Sequence, residues 1–423
     1  MKRLLNILLL IMLVQVVVGQ MNFQYPYFPK DVADSSNWNW QVSPFFNQQA
    51  GSNTFTNEFF RVINKSEFLS SELIDKQIDN MSGSSLSGQI TNIGLGLKIN
   101  AQKNPGKSYV NITFEHQHYL DASLDDDLVK LLLKGNKPYA GQTLRAPNSS
   151  YYNVYFNQLK AGLGHRFLKN DAVHEINWML GFNIGQNHNN LEVHNSSLFT
   201  EPEGDYLDVT ASMNIELSDT AWAEVYEANG YGFSADLEYT YTKPEKFHVG
   251  ISFKNLGMIF WNGNTFSGER DTSFVFSGLN NDTISGENEN IPNDFSYDNL
   301  RRLLFTSSST ENFSTTLPIG MRFTLGKYLA GDKFFLGVNS TYYPMLVANY
   351  DFEFFATWNY RGILYLTPIV GYSSYANVNL GLGVGVKIVD ELHLHIGSRY
   401  LNSMFNQDAK IGSGGFARLT LVL

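Results

Sequence analysis

Residues Asn377–Val389 read NVNLGLGVGVKIV and alternate between two kinds of side chain. Every second position carries Val, Leu or Ile, while most of the positions between them carry Asn, Gly or Lys. Because successive side chains of a β-strand point to opposite faces, this segment has one apolar face and one small or polar face. The same alternation recurs about a dozen times along the chain. It predicts strands that turn one face to hydrocarbon and the other to a lumen or a tightly packed interior.

The first residues predict export across the inner membrane. A short basic start precedes an almost entirely apolar run from Leu4 to Val18, and the residues after it are small or polar. This pattern is typical of a secretory signal peptide, here Met1–Gly19, and we expect the mature chain to begin near Gln20. An N-terminal membrane anchor is the alternative, but the run is shorter than the roughly 20 residues that span a bilayer.

Composition narrows the fold to a closed barrel. No later run is long and apolar enough for a spanning helix, and lipid otherwise accepts only closed β-barrels. The chain has 23 Tyr, 31 Phe and 35 Gly, which suits a barrel with aromatic girdles. Two or three soluble domains would fit the length but not the repeated alternation. We predict an all-β, transmembrane antiparallel β-barrel of about 14 strands, with an N-terminal segment capping or entering the lumen.

Charge and cysteine content exclude several classes of function. The chain has no cysteine, which excludes a thiol nucleophile, a disulfide framework and a thiolate metal site. Its 40 acidic and 30 basic residues give a net charge of −10, and loss of the two basic residues in the signal peptide would make it −12. Nucleic-acid binding needs a basic surface, and the sequence has no basic cluster. We therefore predict no nucleic-acid partner, and we expect no cofactor.

Each predicted strand can be placed by the alternate positions that carry its apolar residues, which we call its apolar parity. The charged residues fall on the other positions, the opposite parity. A charge facing lipid at the midplane costs about 2–4 kcal/mol, so charges on one parity indicate an interior that contacts water. A soluble sheet of this extent would need helices or a second sheet to cover its apolar face. The predicted strands are Ile93–Ile99, Val110–Phe114, Leu159–Leu163, Ile176–Ile184, Leu207–Leu217, Phe233–Tyr241, Phe247–Phe253, Leu317–Leu325, Phe334–Val338, Tyr350–Trp358, Leu364–Tyr372, Val378–Ile388, Leu392–Ile396 and Ala417–Leu423. The candidate lumen-facing residues are Lys98, Lys160, Arg166, Asp236, Glu238, Lys254, Arg322, Asp351, Glu353, Lys387 and Arg399.

Helices and long loops are predicted between some of these strands. Ser123–Gly135 begins with a Ser N-cap and acidic residues, and it ends with Lys and a Gly stop. Thr56–Met81 and Tyr297–Phe305 are two further helix candidates. Asn187–Asp205 and Thr265–Ser296 are polar and rich in Gly, Asn and acidic residues, so we expect them to be loops on the outer side of the barrel.

The domain prediction has three parts: residues 1–19 as signal peptide, 20–87 as an N-terminal plug or cap with a helix, and 88–423 as the barrel. The aromatic segment Phe23–Phe46 lacks sustained alternation, so we expect part of it to pack inside the lumen. A further strand at Trp40–Phe46 is the alternative. If the segment does pack inside the lumen, deletion of Phe23–Asn37 should raise conductance without preventing insertion. The alternating strand that ends at Leu423 is expected to serve as the insertion signal.

Two segments resemble a known family. Gly230–Leu237 reads GYGFSADL and Phe247–Trp261 reads FHVGISFKNLGMIFW, and together they resemble the paired strands of an outer-membrane barrel family from Bacteroidota, domain of unknown function 5723. The helix end at Leu133–Asn136 is similar to its pattern as well. That family is distantly similar to fatty-acid-transporter-type barrels and to barrels associated with type IX secretion. The resemblance implies an outer-membrane barrel that passes or docks something hydrophobic or proteinaceous. An early Asn-Pro-Ala stretch of the family is replaced here by Asp31–Asn37.

The sequence offers little support for catalysis. His393 and His395 share one strand face, as do His116 and His118, but two ligands do not make a metal site, and we interpret them as lining or packing residues. Ser413 lies in a Gly-rich stretch, where a turn is the simpler interpretation than a nucleophile. We therefore predict that the protein is not an enzyme and that it has no catalytic, cofactor-binding or metal-binding residues.

The leading functional prediction is an outer-membrane barrel of a Gram-negative bacterium that passes or binds a hydrophobic or small solute. The alternative is a docking scaffold for secretion or surface-protein assembly. The predicted partners are outer-membrane lipid and either a hydrophobic ligand or an envelope protein. If Leu382 faces lipid, Leu382→Arg should impair insertion by about 2–4 kcal/mol, and Gly381→Ser should matter less unless close packing requires the glycine.

Overall fold

A single antiparallel sheet forms the wall of the molecule. The computed structural model describes residues 40–100, 108–218, 227–263, 265–276, 312–406 and 408–422, and the strands in these ranges form one 19-stranded sheet. In chain order they are β1 (Trp40–Thr56), β2 (Ser84–Asn100), β3 (Ser108–Asp125), β4 (Thr143–Arg145), β5 (Ser150–Lys169), β6 (Ala172–Thr200), β7 (Leu207–Leu217), β8 (Gly230–Lys243), β9 (Phe247–Trp261), β10 (Phe266–Phe276), β11 (Phe313–Thr316), β12 (Gly320–Leu329), β13 (Phe334–Tyr342), β14 (Tyr350–Tyr360), β15 (Leu364–Ser373), β16 (Asn377–Val389), β17 (Leu392–Ser398), β18 (Lys410–Ser413) and β19 (Phe416–Val422).

Fourteen of these strands close into a barrel, which confirms the predicted fold class. Around the ring they run β1, β2, β3, β5, β6, β8, β9, β12, β13, β14, β15, β16, β17, β19. The ring closes where β1 pairs with β19, Gln41 opposite Val422, while its other edge pairs with β2 from Trp40 to Ser52. Closure leaves no free edge in the ring, so the backbone groups of these strands find their partners within the sheet.

The first barrel strand lies where a plug was expected. Trp40–Thr56 is β1, so residues 40–56 belong to the barrel and the predicted plug boundary at residue 87 is wrong. Pro44 and the many Gln, Asn and Ser residues hide the strand in the sequence. Proline is tolerated here because the described pairing of β1 with β19 passes from Val42 to Phe45 without a pair at Pro44. The predicted signal peptide, and the part before Trp40 of the segment predicted to enter the lumen, lie outside the described residues.

An outer sheet rises above the barrel where two loops were expected. The upper half of β6 pairs with β7, and β7 pairs with β10. Asn187–Asp205 is therefore mostly strand, and Thr265–Ser296 begins with a strand before it leaves the described residues. Leu207–Leu217 is β7 and not part of the barrel ring. The predicted strand number was right because this excess strand and the missed β1 cancel.

The two ends of the barrel differ in their connections. At the lower end the strands join through tight turns that hold positive-φ residues, for example Asn170–Asp171 between β5 and β6 and Arg361–Gly362 between β14 and β15. The first and last described residues, Trp40 and Val422, also lie at this end. At the upper end the connections hold the outer sheet, several helices and the segment 343–349. In the described ranges the longer, structured connections are thus concentrated at the upper end.

Within the described ranges four α-helices lie at the upper end: α1 (Asn57–Asn64), α2 (Ser71–Asp79), α3 (Asp126–Lys134) and α4 (Leu401–Met404). The first three share one apolar cluster, in which Phe55, Phe59 and Val129 are buried, and we call them the helical cap. The helices predicted within Thr56–Met81 and Ser123–Gly135 are present, but the N-cap of α3 is Asp125, which accepts from the Asp127 amide at 3.1 Å. The predicted helix at Tyr297–Phe305 lies outside the described residues. No helix in the described ranges is long and apolar enough to cross a membrane.

The two faces of the wall have opposite character. Outward positions of adjacent strands carry exposed apolar side chains, such as Leu180 at 61%, Phe233 at 58% and Leu380 at 49% exposure. Inward glycines lie under aromatic rings of neighbouring or facing strands: an added Cβ on Gly185 would overlap Trp261, and one on Gly88 would overlap Tyr375. The rings thereby fill space that the glycines leave, and the interior is packed with side chains.

Candidate functional site: the barrel interior

A buried ion cluster lies halfway up the interior. The Lys160 Nζ atom is 2.7 Å from Asp236 Oδ2 and 3.4 Å from Glu115 Oε2, and the three side chains are at most 6% exposed. Lys160 belongs to β5, whereas Asp236 belongs to β8, two strands away around the ring. The Lys160 side chain reaches over Gly181 of the intervening β6, where a Cβ would stand 3.1 Å from Lys160 Cγ. A glycine at that position is what allows the two strands to be joined.

Amide side chains continue this cluster across the lumen. Asn255 has a positive φ of 60° at a bulge in β9, and its backbone amide donates to Asp236 Oδ1 at 2.9 Å. Its Nδ2 lies within 3.2 Å of Gln117 Oε1, Tyr119 Oη and the Pro318 carbonyl. Gln117 in turn donates to Gln158 at 2.7 Å. We call Glu115, Gln117, Gln158, Lys160, Asp236 and Asn255 the central polar network.

Two further ion clusters connect interior residues. Arg399 follows β17 and pairs with Asp351 of β14 at 2.7 Å and also with Glu353, and it donates to Gln49 of β1. The three charged side chains are at most 4% exposed. Because β15 and β16 lie between β14 and β17, these contacts cross the interior and tie separate parts of the wall together.

The second cluster lies near the lower end. Arg166 pairs with Glu175 at 2.9 Å, Tyr109 donates to Glu175, and the Lys98 ammonium lies 4.9 Å from the centre of the Tyr109 ring. This cluster is only partly buried.

The structure brings most of the candidate lumen-facing residues into these clusters. Lys160 and Asp236 meet in the central polar network. Asp351, Glu353 and Arg399 belong to the Arg399 cluster, and Lys98 and Arg166 belong to the cluster near the lower end. The remaining four lie apart: Arg322 donates to Thr341 at 3.4 Å and Lys387 pairs with Asp390 of a lower turn at 2.8 Å, while Glu238 and Lys254 are half-buried. Whether any of them lines a solute path stays a prediction.

The predicted packing histidines have ordinary partners. His118 Nε2 lies 2.9 Å from Asn153 Oδ1, and its ring stacks on Tyr155 at 4.0 Å. His393 Nε2 lies 3.0 Å from the Asp390 carbonyl, and His395 packs against Phe416. Across the described ranges no group of three or more His, Cys, Asp or Glu residues is arranged to hold a metal ion. Ser413 ends β18, which pairs with β1, so it lies in a strand and not in the predicted turn.

An apolar cluster occupies the interior above the central polar network. Its members come from strands and loops on several sides of the ring, and each is at most 5% exposed. We call it the upper cluster, and its residues are Ile90, Tyr119, Val154, Phe156, Ile259, Trp261, Leu317, Tyr343 and Leu346. The sequence does not reveal this cluster, because its members lie on the inward-facing positions of separate strands, where each looks like an isolated exception to a polar face.

The segment 343–349 between β13 and β14 folds into the barrel and contributes to this cluster. Asp121 of β3 holds it from the facing wall: its carboxylate accepts from the Val347 and Ala348 amides at 2.5 and 3.3 Å. The Tyr375 hydroxyl donates to the same carboxylate at 2.9 Å. Leu346 is consequently 3% exposed, whereas its neighbour Met345 is 45% exposed. One buried carboxylate therefore positions an apolar side chain inside the barrel.

Four ring-bearing residues form the upper border of the cluster, and we call them the aromatic rim: Tyr152, His188, Trp261 and Phe313. The His188 ring centre lies 5.4 Å from Trp261, 5.6 Å from Phe313 and 5.6 Å from Tyr152. His188 Nε2 lies 3.3 Å from Glu216 Oε2 of the outer sheet, and this hydrogen bond lowers the pKa of Glu216. Trp261 and His188 are almost fully buried, whereas Tyr152 and Phe313 are partly exposed.

Solved structures similar to this chain are barrels of low sequence identity. A TodX mutant titled a monoaromatic hydrocarbon channel covers 96% of this chain and 94% of its own, with a TM-score of 0.43 and 6% identity. The toluene transporter TodX of P. putida covers 93% and 90%, with a TM-score of 0.39 and 8% identity. A FadL homologue of Pseudomonas aeruginosa covers 91% and 89%, with 0.37 and 9%. At these scores the likenesses carry no argument about function.

The family comparison is more decisive. No curated protein matches the chain in sequence. The family model described as a family of unknown function, DUF5723, matches residues 32–398, which include 13 of the 14 barrel strands. The chain therefore belongs to the DUF5723 family.

Proposed function

We propose that the protein is a non-enzymatic outer-membrane β-barrel that binds or passes an apolar solute. The exposed apolar side chains of the wall support residence in lipid, since such a band on the outer face of a closed barrel has no other favourable environment. Short turns of outer-membrane barrels face the periplasm, so the upper end would face the outside of a Gram-negative cell. The helical cap, the outer sheet and the aromatic rim would then meet the solute first.

The upper cluster is the observation that carries this proposal. A barrel that conducts water and ions has a polar interior, whereas the upper cluster of this one brings together nine buried apolar residues. Sites for small apolar molecules are lined by apolar and aromatic side chains with a few polar groups at their border, and the upper cluster with its aromatic rim has this composition. An apolar solute would replace contacts among the side chains of the upper cluster with similar apolar contacts to itself. Its binding would be driven by the free energy that it gains on leaving water.

The central polar network limits how the solute could travel further. It lies directly below the upper cluster and joins β3, β5, β8 and β9 by ion pairs and hydrogen bonds. Passage toward the lower end would take the solute past these buried, mutually paired polar side chains, which offer it no apolar surface. Binding in the upper cluster therefore comes first, and transport would need a second step.

Binding can be tested with an apolar fluorescent probe, N-phenyl-1-naphthylamine, and the whole barrel in detergent micelles. Leu346→Glu places a carboxylate in the upper cluster and should weaken probe binding about tenfold or more, since burying an unpaired charge is costly. Met345→Glu adds the same charge one residue earlier, where the side chain is exposed, and should leave binding unchanged. Equal binding by both variants, or no saturable binding by the unaltered protein, would refute the proposal.

The docking alternative has one observation in its favour. The outer sheet β6–β7–β10 extends beyond the ring, and in the described ranges β10 is paired only through β7. A strand of an envelope partner could add to such an edge. A stable partner in stoichiometric amount on purification, combined with no binding of the apolar probe, would favour this function.

A further inference from the structure

Two buried polar atoms of the aromatic rim have no hydrogen-bond partner in the described part of the chain. They are Tyr152 Oη and His188 Nδ1. Buried polar groups in native proteins are nearly always paired, and exceptions call for an explanation. The contrast with the central polar network is informative, because its six side chains have no such unpartnered buried atom. Tyr152 and His188 differ in this respect from the six residues of the central polar network.

The hydrogen-bonding capacity of these two atoms follows from their surroundings. The other imidazole nitrogen of His188, Nε2, faces Glu216 Oε2 at 3.3 Å. An ionised carboxylate only accepts, so the imidazole proton is assigned to Nε2 and the lone pair to Nδ1. The Tyr152 hydroxyl can donate its proton. The rim thus presents one donor and one acceptor from rings whose centres are 5.6 Å apart.

The position of the pair fits a molecule with an apolar body. Tyr152 and Phe313 are the partly exposed residues that pack against the upper cluster, so they lie where a solute would enter it. Trp261 is fully buried, stacks on His188, and has its Nε1 donor already committed to Thr315 Oγ1 at 2.8 Å. The indole therefore offers only an apolar surface, and the polar contacts at this border belong to Tyr152 and His188.

We propose that the aromatic rim recognises the hydroxyl group of an apolar alcohol or phenol. The hydroxyl oxygen accepts from Tyr152 Oη, and the hydroxyl proton is donated to His188 Nδ1, while the apolar body lies against the upper cluster. A hydrocarbon of the same shape leaves both rim atoms unpaired. A carboxylate has no proton for Nδ1 and would lie close to the negative charge of Glu216. This inference rests on the proposed function and specifies its class of solute.

Three molecules with the same ring system test the inference: naphthalene, 2-naphthol and 2-naphthoate. Their binding to the whole barrel in detergent micelles is measured by titration calorimetry at neutral pH, with empty micelles as the blank. We expect 2-naphthol to bind about tenfold more tightly than naphthalene, the effect of about two neutral hydrogen bonds. We expect 2-naphthoate to bind more weakly than 2-naphthol.

Tyr152→Phe removes only the hydroxyl and should reduce the preference for 2-naphthol over naphthalene to about threefold or less. The unfolding midpoint should stay the same, since the hydroxyl has no partner to lose. Tyr151→Phe, one residue earlier on the opposite face of β5, is the matched control and should keep the full preference.

The outcomes separate the two proposals. Equal affinity for naphthol and naphthalene, tightest binding of the naphthoate, or a preference that survives Tyr152→Phe overturns the hydroxyl site while binding of an apolar solute stands. Failure of all three molecules to bind removes both.

Discussion

The outer and inner faces of the barrel are built from the same strands but obey different rules. On β16, Leu382 faces outward and is 38% exposed, and any apolar side chain would serve there because lipid makes no specific contact. The adjacent Gly381 faces inward, where a Cβ would stand 2.5 Å from both Arg399 Cα and the Ser398 carbonyl oxygen. Outward positions thus require only an apolar side chain, whereas inward positions require a side chain of a particular size and chemistry that fits a particular partner.

The inner face is itself divided in two. Side chains of the central polar network satisfy one another across strands that are far apart in the chain, which suits a structural tie. The aromatic rim keeps a donor and an acceptor without partners beside an apolar cluster, which suits a binding site. The structural tie lies halfway up the barrel and the proposed binding site lies above it, so height along the barrel, and not polarity alone, separates the two roles.

Loss of the central lysine should produce the largest effect on the inner face. Lys160→Met leaves Glu115 and Asp236 buried without their cation, and removal of one partner from a buried ion pair costs about 3–5 kcal/mol. Urea unfolding in lipid or detergent micelles measures the loss. Lys169→Met, at an exposed position on the same strand, is the control and should be neutral. The triple variant that adds Glu115→Gln and Asp236→Asn should recover much of the stability. A stable Lys160→Met protein would contradict the structural role of the network.

An outward charge should have the next largest effect. Leu382→Arg should destabilise the inserted barrel by about 2–4 kcal/mol, while Leu382→Met should cost less than about 1.5 kcal/mol because it stays apolar and similar in volume. Folding yield into lipid vesicles and urea midpoints provide the comparison. The structure also revises the expectation for Gly381→Ser, which should now cost about 1–3 kcal/mol through overpacking. Tolerance of Leu382→Arg would mean that this face does not contact lipid.

The smallest effect is expected where one carboxylate holds the segment 343–349. Asp121→Asn keeps an acceptor but loses the charge that strengthens hydrogen bonds to Val347, Ala348 and Tyr375, so we expect a loss of about 1 kcal/mol. Faster cleavage of this segment by proteinase K is the sensitive measurement. Asp171→Asn, in an exposed lower turn, is the control. Unchanged cleavage would show that the segment is held by its apolar contacts alone.

Alternation predicted the fold because lipid imposes it on every outward position independently. It failed at β1, where Pro44 and polar residues mask a strand that the ring needs for closure. It also placed Leu207–Leu217 in the ring, since an outer sheet above the barrel alternates in the same way. The helix ending at Lys134 was readable from local caps, and only the choice between Ser123 and Asp125 as N-cap required the structure.

The candidate site shows the same division. Charge on the inner parity was readable, because a period of two sorts residues by face, but the partners of each charge were not. Lys160 meets Asp236 only because Gly181 on the intervening strand leaves room, and Asn255 meets Gln117 only because a bulge turns it. The upper cluster and the aromatic rim assemble residues from five or more separate segments, and no local pattern marks them.

The sequence by itself therefore determined the class of fold, the approximate number of strands, the apolar face and the C-terminal end of the helix at Lys134. These depend on interactions between neighbours in the chain or on a uniform solvent, lipid, which each residue meets alone. Tertiary structure alone decided which strands close the ring, how the interior charges pair, and where apolar and unpaired polar groups converge. Those features depend on contacts between residues far apart in the chain, such as Arg399 and Gln49, which are 350 positions apart, and such contacts exist only once the barrel has closed.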